Sequence, residues 1–428
     1  MMNKLSNSLA IIAKRWPELY QPILSSPTIT PVVIHEPEPT YVIDDIQLTS
    51  CYQRESEAQL QANSVPTNCS KLNIYGVALG DTINAVLTNK QLKLVKVHIL
   101  NLSVFKLTLS DLGSLGWLDD PRVELVYAGG SNGISRPYLV MPAELILADD
   151  DCARLRDKLI LDRDSAHIES QHTNNQHAQQ HIITTQAVLK HDRDAEELLN
   201  NTFKRALIIA AGPSLEQTYQ LIKNHQTGDI IICVDAALRA LKQEGIIPNI
   251  VISIDPHPEI CFRGIDFKEY TEVSLVYFPR MSPDTLSQWL GPRYQAYSTS
   301  SLYDDVNQKC PRLRLFSGGS VIHPAIDLAV KMSAAEVILF GADFGYPSNK
   351  THAFWPSNFD VPAVNSTVGH SVMSWRGNKI STLPNLRGYL RDLEDFIELH
   401  PEVNFYSASS LGAKIDGARL WNEVQHNC

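Results

Sequence analysis

The stretch ALIIAAGPSLEQTYQLI, residues 206–222, decides the fold of the second half of this 428-residue chain. Its first six residues are apolar, as in a strand that is buried on both faces of a sheet. Gly212, Pro213 and Ser214 follow, and then a helical pattern begins. The glycine permits a tight turn, and the free amides at the helix start, with Ser214 as cap, form either an anion site or only a capped turn between strand and helix. The phosphate of a nucleotide is the expected ligand.

Similar short apolar runs recur along the second half of the chain, with helical patterns between them. Strands that alternate with helices predict a parallel sheet covered on both faces, so residues 200–428 are expected to form a doubly wound α/β domain. The predicted strands are 206–211, 229–234, 250–254, 274–278 and 336–340, and the predicted helices are 215–223, 236–244 and 321–332.

The first half of the chain shows the same alternation. Strands are expected at 40–46, 72–79, 93–100 and 123–127, with a helix at 104–112, and together they predict a Rossmann-like domain over residues 40–164. Residues 1–39 are expected to be a helical segment. Residues 165–199 are rich in His, Gln and Asn and are expected to be a polar linker or exposed helix between the two α/β domains.

Composition narrows the class of protein. The 47 acidic residues exceed the 37 basic ones, which gives a net charge of −10 and disfavours a nucleic-acid partner. The seven cysteines are odd in number and widely spaced, as expected for reduced thiols in the cytoplasm. No apolar stretch approaches the roughly 18 residues of a membrane span, and no set of residues has the spacing of a metal site. We therefore expect a soluble, cytoplasmic protein without a metal.

Several side chains follow the predicted strands of the second domain, where ligands of parallel sheets bind. Asp235 and Asp255 each end a strand, and either could bond a ribose hydroxyl or act only as a helix cap. The loop of Ser317, Gly318, Gly319 and Ser320 precedes another helix and could hold a second part of an anionic ligand. Asp343 follows the strand at 336–340.

The segment after that strand supplies the candidate catalytic residues. Tyr346, Lys350 and His352 could hold a phosphate or a carboxylate, unless the segment is merely a solvated loop. His370, in NSTVGHSVMSW, has an imidazole that could accept a hydroxyl proton. The Walker, dinucleotide-binding and hydrolase motifs are not found in the sequence.

Five segments, in this order and spacing, resemble the motility-associated factor (Maf) family of flagellin glycosyltransferases and its MptE-like domain. The segments are ALIIAAGPSL, IPNIVISIDPHPE, FSGGSVIHPAIDLA, VILFGADFGYPSNKTHAF and YSASSLGAKIDGA. They are more distantly similar to bacterial sialyltransferases that use CMP-sugars, whose loops would fall on 212–214, 317–320 and 341–346. In the first domain, IYGVALGD and KVHILNLSVFKLTL resemble a degenerate methyltransferase-like domain in which Asn101 replaces the ribose-binding acid.

The resemblance implies transfer of a nonulosonic acid, pseudaminic or legionaminic, from its CMP-activated donor to Ser or Thr hydroxyls of flagellin, with inversion. It implies that Gly212, Pro213 and Ser214 hold the cytidine ribose and phosphate, with Ser317 to Ser320 on the other side of the nucleotide. Tyr346 with Lys350 or His352 would steady the leaving phosphate, and His370 would be the base. No cofactor is required, and Mg²⁺ is not indicated.

Two other functions remain open at this stage. Archaeal 6-hydroxymethylpterin diphosphokinases share the Gly-Pro-Ser-Leu loop and would transfer pyrophosphate from ATP with magnesium, a reaction that needs clustered carboxylates. The chain could also be a noncatalytic flagellin- or carbohydrate-binding protein that keeps the fold without the reaction.

Overall fold

The computed structural model describes residues 2–66, 68–131, 133–171, 174–225, 228–354 and 370–421. The chain divides into two compact units, residues 1–164 and 165–428. Within the described residues, no helix is both long and apolar enough to cross a membrane.

The first unit combines a parallel sheet with helices and a small antiparallel sheet. Its helices are α1 (Met2–Arg15), α2 (Pro17–Ser25), α3 (Arg54–Asn63), α4 (Asp81–Leu87), α5 (Leu102–Thr108) and α6 (Pro142–Ile146), and α7 (Ala153–Gln171) begins in it. Its strands are β1 (Val32–Ile34), β2 (Thr40–Ile43), β3 (Ile46–Gln47), β4 (Lys71–Tyr75), β5 (Leu94–Ile99), β6 (Val123–Tyr127) and β7 (Tyr138–Val140).

Strands β4 to β7 form a parallel sheet in the order β6-β5-β4-β7, as a Rossmann-like fold requires. The predicted α/β fold of the first unit is confirmed. The helices α1 and α2 pack on this sheet, because Leu9, Ile12, Trp16, Leu19 and Ile23 are buried in the same hydrophobic core as its strands.

The prediction of one strand at 40–46 was wrong. The segment is a hairpin of β2 and β3 in an antiparallel sheet with β1, separate from the parallel sheet. Asp44 and Asp45 have φ values of 48° and 63°, so both lie in the left-handed region that a tight two-residue hairpin turn demands. The helix predicted at 104–112 is α5, which begins earlier, at Leu102, and is capped by the Asn101 side chain.

The loop between β4 and α4, residues 76–80, is held by the buried carboxylate of Glu144. Glu144 is 1% exposed, and its Oε1 accepts hydrogen bonds from the amides of Val77, at 2.6 Å, and Ala78. Burial raises the pKa of Glu144 to about 7, although the two amides act in the opposite direction. These two loop amides therefore already have an acceptor from their own unit.

The second unit is built on a larger parallel sheet. Its helices are α8 (Asn174–Leu189), α9 (Tyr219–Lys223), α10 (Leu238–Gln243), α11 (Glu259–Phe262), α12 (Pro283–Gln288), α13 (Asp304–Lys309), α14 (Ile322–Lys331) and α15 (Pro384–Glu398). Its strands are β8 (Arg193–Asp194), β9 (Arg205–Ile209), β10 (Ile230–Val234), β11 (Ile250–Ser253), β12 (Ser274–Tyr277), β13 (Arg293–Gln295), β14 (Tyr297–Ser298), β15 (Arg314–Leu315), β16 (Glu336–Phe340), β17 (Ser371–Met373), β18 (Lys379–Ser381), β19 (Asn404–Ser407) and β20 (Arg419–Leu420).

In the described part of this unit, nine strands pair in the order β20-β19-β16-β9-β10-β11-β12-β13-β8, and their pairings are parallel. The predicted α/β fold of the second unit is thereby confirmed as well. The chain runs from β9 outward through β10 to β13 and later returns to the other side of β9 as β16. This reversal is a topological switch point, and parallel sheets bind ligands at the carboxyl ends of the strands there.

The helix predicted at 215–223 is interrupted. Residues Pro213–Gln217 form a 3₁₀ turn, and α9 begins only at Tyr219 because Thr218, with φ −119° and ψ 2°, leaves the helical conformation. The polar segment after residue 164 is largely helical, in α7 and α8. In α8, Ile182, Thr185, Gln186 and Leu189 are buried, so this end of the segment packs into the second unit.

Candidate active site

A cavity of about 200 Å³ opens at the carboxyl ends of β9, β10 and β16 in the second unit. Most of its wall consists of small or apolar side chains that leave backbone close to the space. The lining residues are Ala210, Ala211, Gly212, Val234, Ala236, Ser320, Val321, Ile322, Gly341, Ala342, Asp343, Phe344, Gly345, Tyr346, Thr351, His352, Leu386 and Tyr389. Five predicted site residues are therefore brought together: Gly212, Ser320, Asp343, Tyr346 and His352.

The turn after β9 is packed tightly against the turn after β16. A Cβ atom on Gly212 would lie 2.3 Å from the carbonyl oxygen of Gly341 and 2.6 Å from Oδ2 of Asp343. Gly212 has a φ of −66°, so the lack of space requires glycine here and the backbone angle does not. Pro213 and Ser214 are buried behind this turn and do not line the cavity.

Asp343 supplies the acceptor for the Ser214 amide. The amide donates to Oδ2 of Asp343 at 2.8 Å, and the aspartate is 4% exposed. Burial raises the pKa of Asp343 to about 6, although hydrogen bonds from Ser214 act in the opposite direction. The Ser214 amide, predicted as part of a phosphate site, is thus paired with a carboxylate of the protein itself.

The two other predicted aspartates differ in environment. Asp235 is 2% exposed and accepts hydrogen bonds from the Ser253 hydroxyl at 2.6 Å and from the Ala236 amide at 2.7 Å. Burial is the main cause that raises its pKa to about 6. Asp255 is exposed, and neither aspartate lines the cavity, although Val234 and Ala236 on either side of Asp235 do.

The loop Ser317–Ser320 reaches the cavity through Ser320. Ser317 and Gly318 are half-buried and Gly319 is exposed, and these three residues lie beside the cavity and do not line it. The amide of Gly318 donates to Nδ1 of His323 at 3.0 Å. The loop is therefore held from its own following helix, α14.

The segment after β16 brings His352 and Tyr346 into the cavity wall and leaves Lys350 outside it. Lys350 forms an ion pair with Oε1 of Glu216, which also accepts the Phe354 amide at 2.8 Å. Burial lowers the pKa of His352 and raises that of Tyr346. Near neutral pH the cavity therefore contains a neutral imidazole and a protonated phenol.

His370 lies outside the described cavity wall. Its Nδ1 is 3.0 Å from Nη1 of Arg387, and a guanidinium can only donate, so Nδ1 is the acceptor. The neutral ring then has its hydrogen on Nε2. The part of NSTVGHSVMSW that precedes His370 falls within 355–369, outside the described residues.

Tyr389 and Leu386 of α15, together with Phe344 and Thr351, line the cavity but were not predicted. On an amphipathic helix such as α15, an aromatic side chain has the same pattern as a core residue. Phe344 and Thr351 had a signal in the sequence, because Phe344 lies between the predicted Asp343 and Tyr346, and Thr351 lies between the predicted Lys350 and His352.

A comparison with protein-family models gives a match within this unit. Residues 180–349 match a family model described as 6-hydroxymethylpterin diphosphokinase MptE-like. The predicted MptE-like domain is confirmed for this part of the chain. No curated protein matches the sequence.

Solved structures that match the chain include a MAf glycosyltransferase from Magnetospirillum magneticum AMB-1, at 14% identity and a TM-score of 0.47, over 99% of this chain and 75% of that chain. A spermidine synthase in complex with the transition state analogue AdoDATO is 24% identical over 23% of this chain and 34% of its own, with a TM-score of 0.21. The spermidine synthase from Thermotoga maritima is 19% identical over 26% of this chain and 44% of its own, with a TM-score of 0.23.

Proposed function

We propose that residues 165–428 form a glycosyltransferase unit that moves a nonulosonic acid, pseudaminic or legionaminic, from its CMP-activated donor to Ser or Thr hydroxyls of flagellin. The observation that carries the proposal is the cavity at the switch point of the parallel sheet. It gathers Gly212, Ser320, Asp343, Tyr346 and His352 at the place where such sheets bind nucleotides.

The reaction is a single displacement with inversion. The acceptor oxygen forms a bond to the anomeric carbon while the bond from that carbon to the phosphate oxygen breaks, and CMP leaves with the electron pair. The hydroxyl proton passes to a base of the protein. Because CMP is already a good leaving group, the protein mainly orients the two substrates and stabilises the charge that develops on the phosphate.

We assign the base to His352. Its imidazole lines the cavity, and burial lowers its pKa, so it is neutral and able to accept a proton at physiological pH. His370, the base that the sequence suggested, uses Nδ1 to accept from Arg387 and lies outside the cavity wall. Tyr346, whose pKa is raised by burial, keeps its proton and would donate it in a hydrogen bond to the leaving phosphate.

The proposal needs no cofactor, because the activated sugar is a substrate. The MptE-like match favours a second candidate, pyrophosphate transfer from ATP to a hydroxymethylpterin. That reaction requires carboxylates around magnesium. Asp235 and Asp343 are buried at separate strand ends. Asp235 accepts hydrogen bonds from Ser253 and Ala236, and Asp343 accepts one from Ser214. This engagement favours the glycosyltransferase.

The test mixes the full chain with flagellin from the same organism and either CMP-pseudaminic or CMP-legionaminic acid, and follows CMP release and the intact mass of flagellin. A parallel reaction contains ATP, magnesium and 6-hydroxymethylpterin. We expect flagellin to gain the mass of nonulosonic acid residues, and AMP release in the parallel reaction without CMP release in the first would contradict the proposal.

Tyr346→Phe provides the site-specific control for this assay. Removing the phenol hydroxyl should reduce transfer by about a hundredfold or more, the usual order for one hydrogen bond that stabilises charge in a transition state. Tyr52→Phe is the matched control, because Tyr52 is 73% exposed in the first unit and should leave the rate unchanged. Equal rates for the two variants would remove Tyr346 from the mechanism.

A further inference from the structure

His323, on the first turn of α14, connects the loop Ser317–Ser320 to Tyr389 of the cavity wall. It is fully buried, and its Nδ1 accepts the Gly318 amide at 3.0 Å while its Nε2 lies 2.9 Å from the Tyr389 carbonyl oxygen. An amide can only donate and a carbonyl oxygen can only accept, so Nδ1 is unprotonated and Nε2 carries the hydrogen. Both ring nitrogens are thereby used by backbone groups.

The imidazole of His323 is held in the neutral tautomer that carries its hydrogen on Nε2. Burial lowers the pKa of His323 to about 4, so the imidazole is neutral throughout the physiological range. A second proton, on Nδ1, would face the Gly318 amide proton and break the bond. Phe316 stacks on the ring with centroids 5.1 Å apart, and Tyr389 meets it edge-on at 6.1 Å.

Asp327, one turn further along α14, holds the start of the same loop. Its Oδ2 accepts the Phe316 amide at 2.7 Å, and its charge is balanced by Lys331, whose Nζ lies 2.5 Å from Oδ1. Asp327 is 1% exposed, so this contact is a buried one. Two side chains of α14, four residues apart on one helix face, therefore bind the backbone that leads into Ser317–Ser320.

Helix α15 closes the other side of this loop. A Cβ atom on Gly318 would lie 2.5 Å from Oδ2 of Asp392, and one on Gly319 would lie 2.8 Å from the ring of Tyr389. Gly319 also has a φ of 84°, which side chains rarely adopt. The loop is thus fitted between α14 and α15, and the cavity is lined by Ser320 from the loop and by Tyr389 from α15.

We propose that His323 is a positioning residue that sets the distance between Ser320 and Tyr389 and thereby the affinity of the cavity for the donor nucleotide. The inference rests on the proposed function for its ligand. The ordering of the loop by the two hydrogen bonds of His323 does not depend on which ligand binds. His323 touches no substrate, so its loss should change the KM for the donor more than kcat.

The experiment compares His323→Asn and His323→Phe with the unaltered protein. Phenylalanine keeps the ring stacking but has no acceptor for Gly318, whereas the asparagine carbonyl can take the place of Nδ1. We expect hydrogen–deuterium exchange in peptides spanning 313–322, without ligand, to rise about tenfold in His323→Phe and to be partly restored in His323→Asn. The KM for the CMP-sugar should rise at least fivefold in His323→Phe, with kcat changed less than twofold.

His225→Phe is the matched control. His225 is an exposed histidine of the same unit whose Nδ1 also contacts a backbone oxygen, that of Ile222, and its replacement should alter neither readout. If His323→Phe does not fold, nitrogen spectra of the ¹⁵N-histidine-labelled parent protein decide the point. A neutral ring protonated at Nε2 between pH 5 and 8 is expected, and a charged ring or the other tautomer would overturn the assignment.

The two levels of the proposal fail separately. Unchanged exchange at 313–322 in a folded His323→Phe variant would overturn the positioning role. A parent protein that turns over no CMP-sugar would instead overturn the proposed function, while the exchange data would still decide whether His323 orders the loop. A fall in kcat with an unchanged KM would contradict the link between His323 and donor affinity.

Discussion

Gly212→Ala is expected to abolish CMP binding, with at least a hundredfold loss of affinity, and to lower the free energy of unfolding of the second unit by about 2 kcal/mol. The added methyl group would lie 2.3 Å from the Gly341 carbonyl oxygen and 2.6 Å from Oδ2 of Asp343, so one of the two turns must move. Both turns line the cavity, and either movement changes its shape. Isothermal titration with CMP and urea unfolding measure the two effects.

Gly133→Ala is the control for this substitution. Apart from its two chain neighbours, no heavy atom of the described residues lies within 4 Å of a Cβ atom at Gly133, and its φ is outside the left-handed region, so alanine should be tolerated. CMP affinity and unfolding should match those of the unaltered protein. A Gly212→Ala variant that binds CMP as well as Gly133→Ala does would show that the nucleotide site is elsewhere.

Asp343→Ala and Asp343→Asn should separate the shape of this side chain from its charge. Alanine leaves the Ser214 amide without its acceptor in a buried position, which costs about 1–3 kcal/mol. Asparagine can still accept that hydrogen bond through its carbonyl. We expect CMP affinity to fall at least tenfold in Asp343→Ala and to be largely retained in Asp343→Asn.

The charge of Asp343 makes the stability of the fold depend on pH. The pKa of Asp343 is about 6 in the folded protein and 3.8 without the fold, so the folded state binds the proton more tightly. Its contribution to stability is fully present below pH 3.8 and is lost as the pH rises through about 6, by about 3 kcal/mol in total. The stability of Asp343→Asn relative to the parent should therefore increase from pH 4 to pH 7 in urea unfolding. A difference that is constant with pH would contradict the assigned environment of Asp343.

The central strands could be predicted because they are buried on both faces and therefore almost continuously apolar. The predicted strands at 229–234 and 336–340 differ from the observed β10 and β16 by at most one residue. The outer strands β8, β13 and β20 carry charged residues and span only two or three residues, so their pattern is too weak to detect. The hairpin at Asp44 and Asp45 was missed because its turn lacks the glycine that usually marks one.

The residues of the candidate site also differ in how well the sequence could predict them. Residues that follow strands, such as Gly212, Asp343 and Tyr346, could be found because parallel strands end at one edge of the sheet. His323 and Tyr389 lie on helices, where their spacing resembles that of core residues, and only the tertiary packing reveals what they contact. Sequence also cannot show that Lys350 pairs with Glu216, since the two residues are 134 positions apart.

The most direct test of the proposed CMP-sugar site is to titrate the full chain with CMP, CDP, ADP and ATP, each with and without magnesium. The melting temperature of the protein is measured at each ligand concentration. A ligand that binds only the folded state raises the melting temperature, and the rise grows with the logarithm of the ratio of its concentration to its Kd. The account predicts stabilisation by CMP without magnesium, and its loss in Gly212→Ala. Stabilisation only by ATP with magnesium would contradict the account and favour the diphosphokinase.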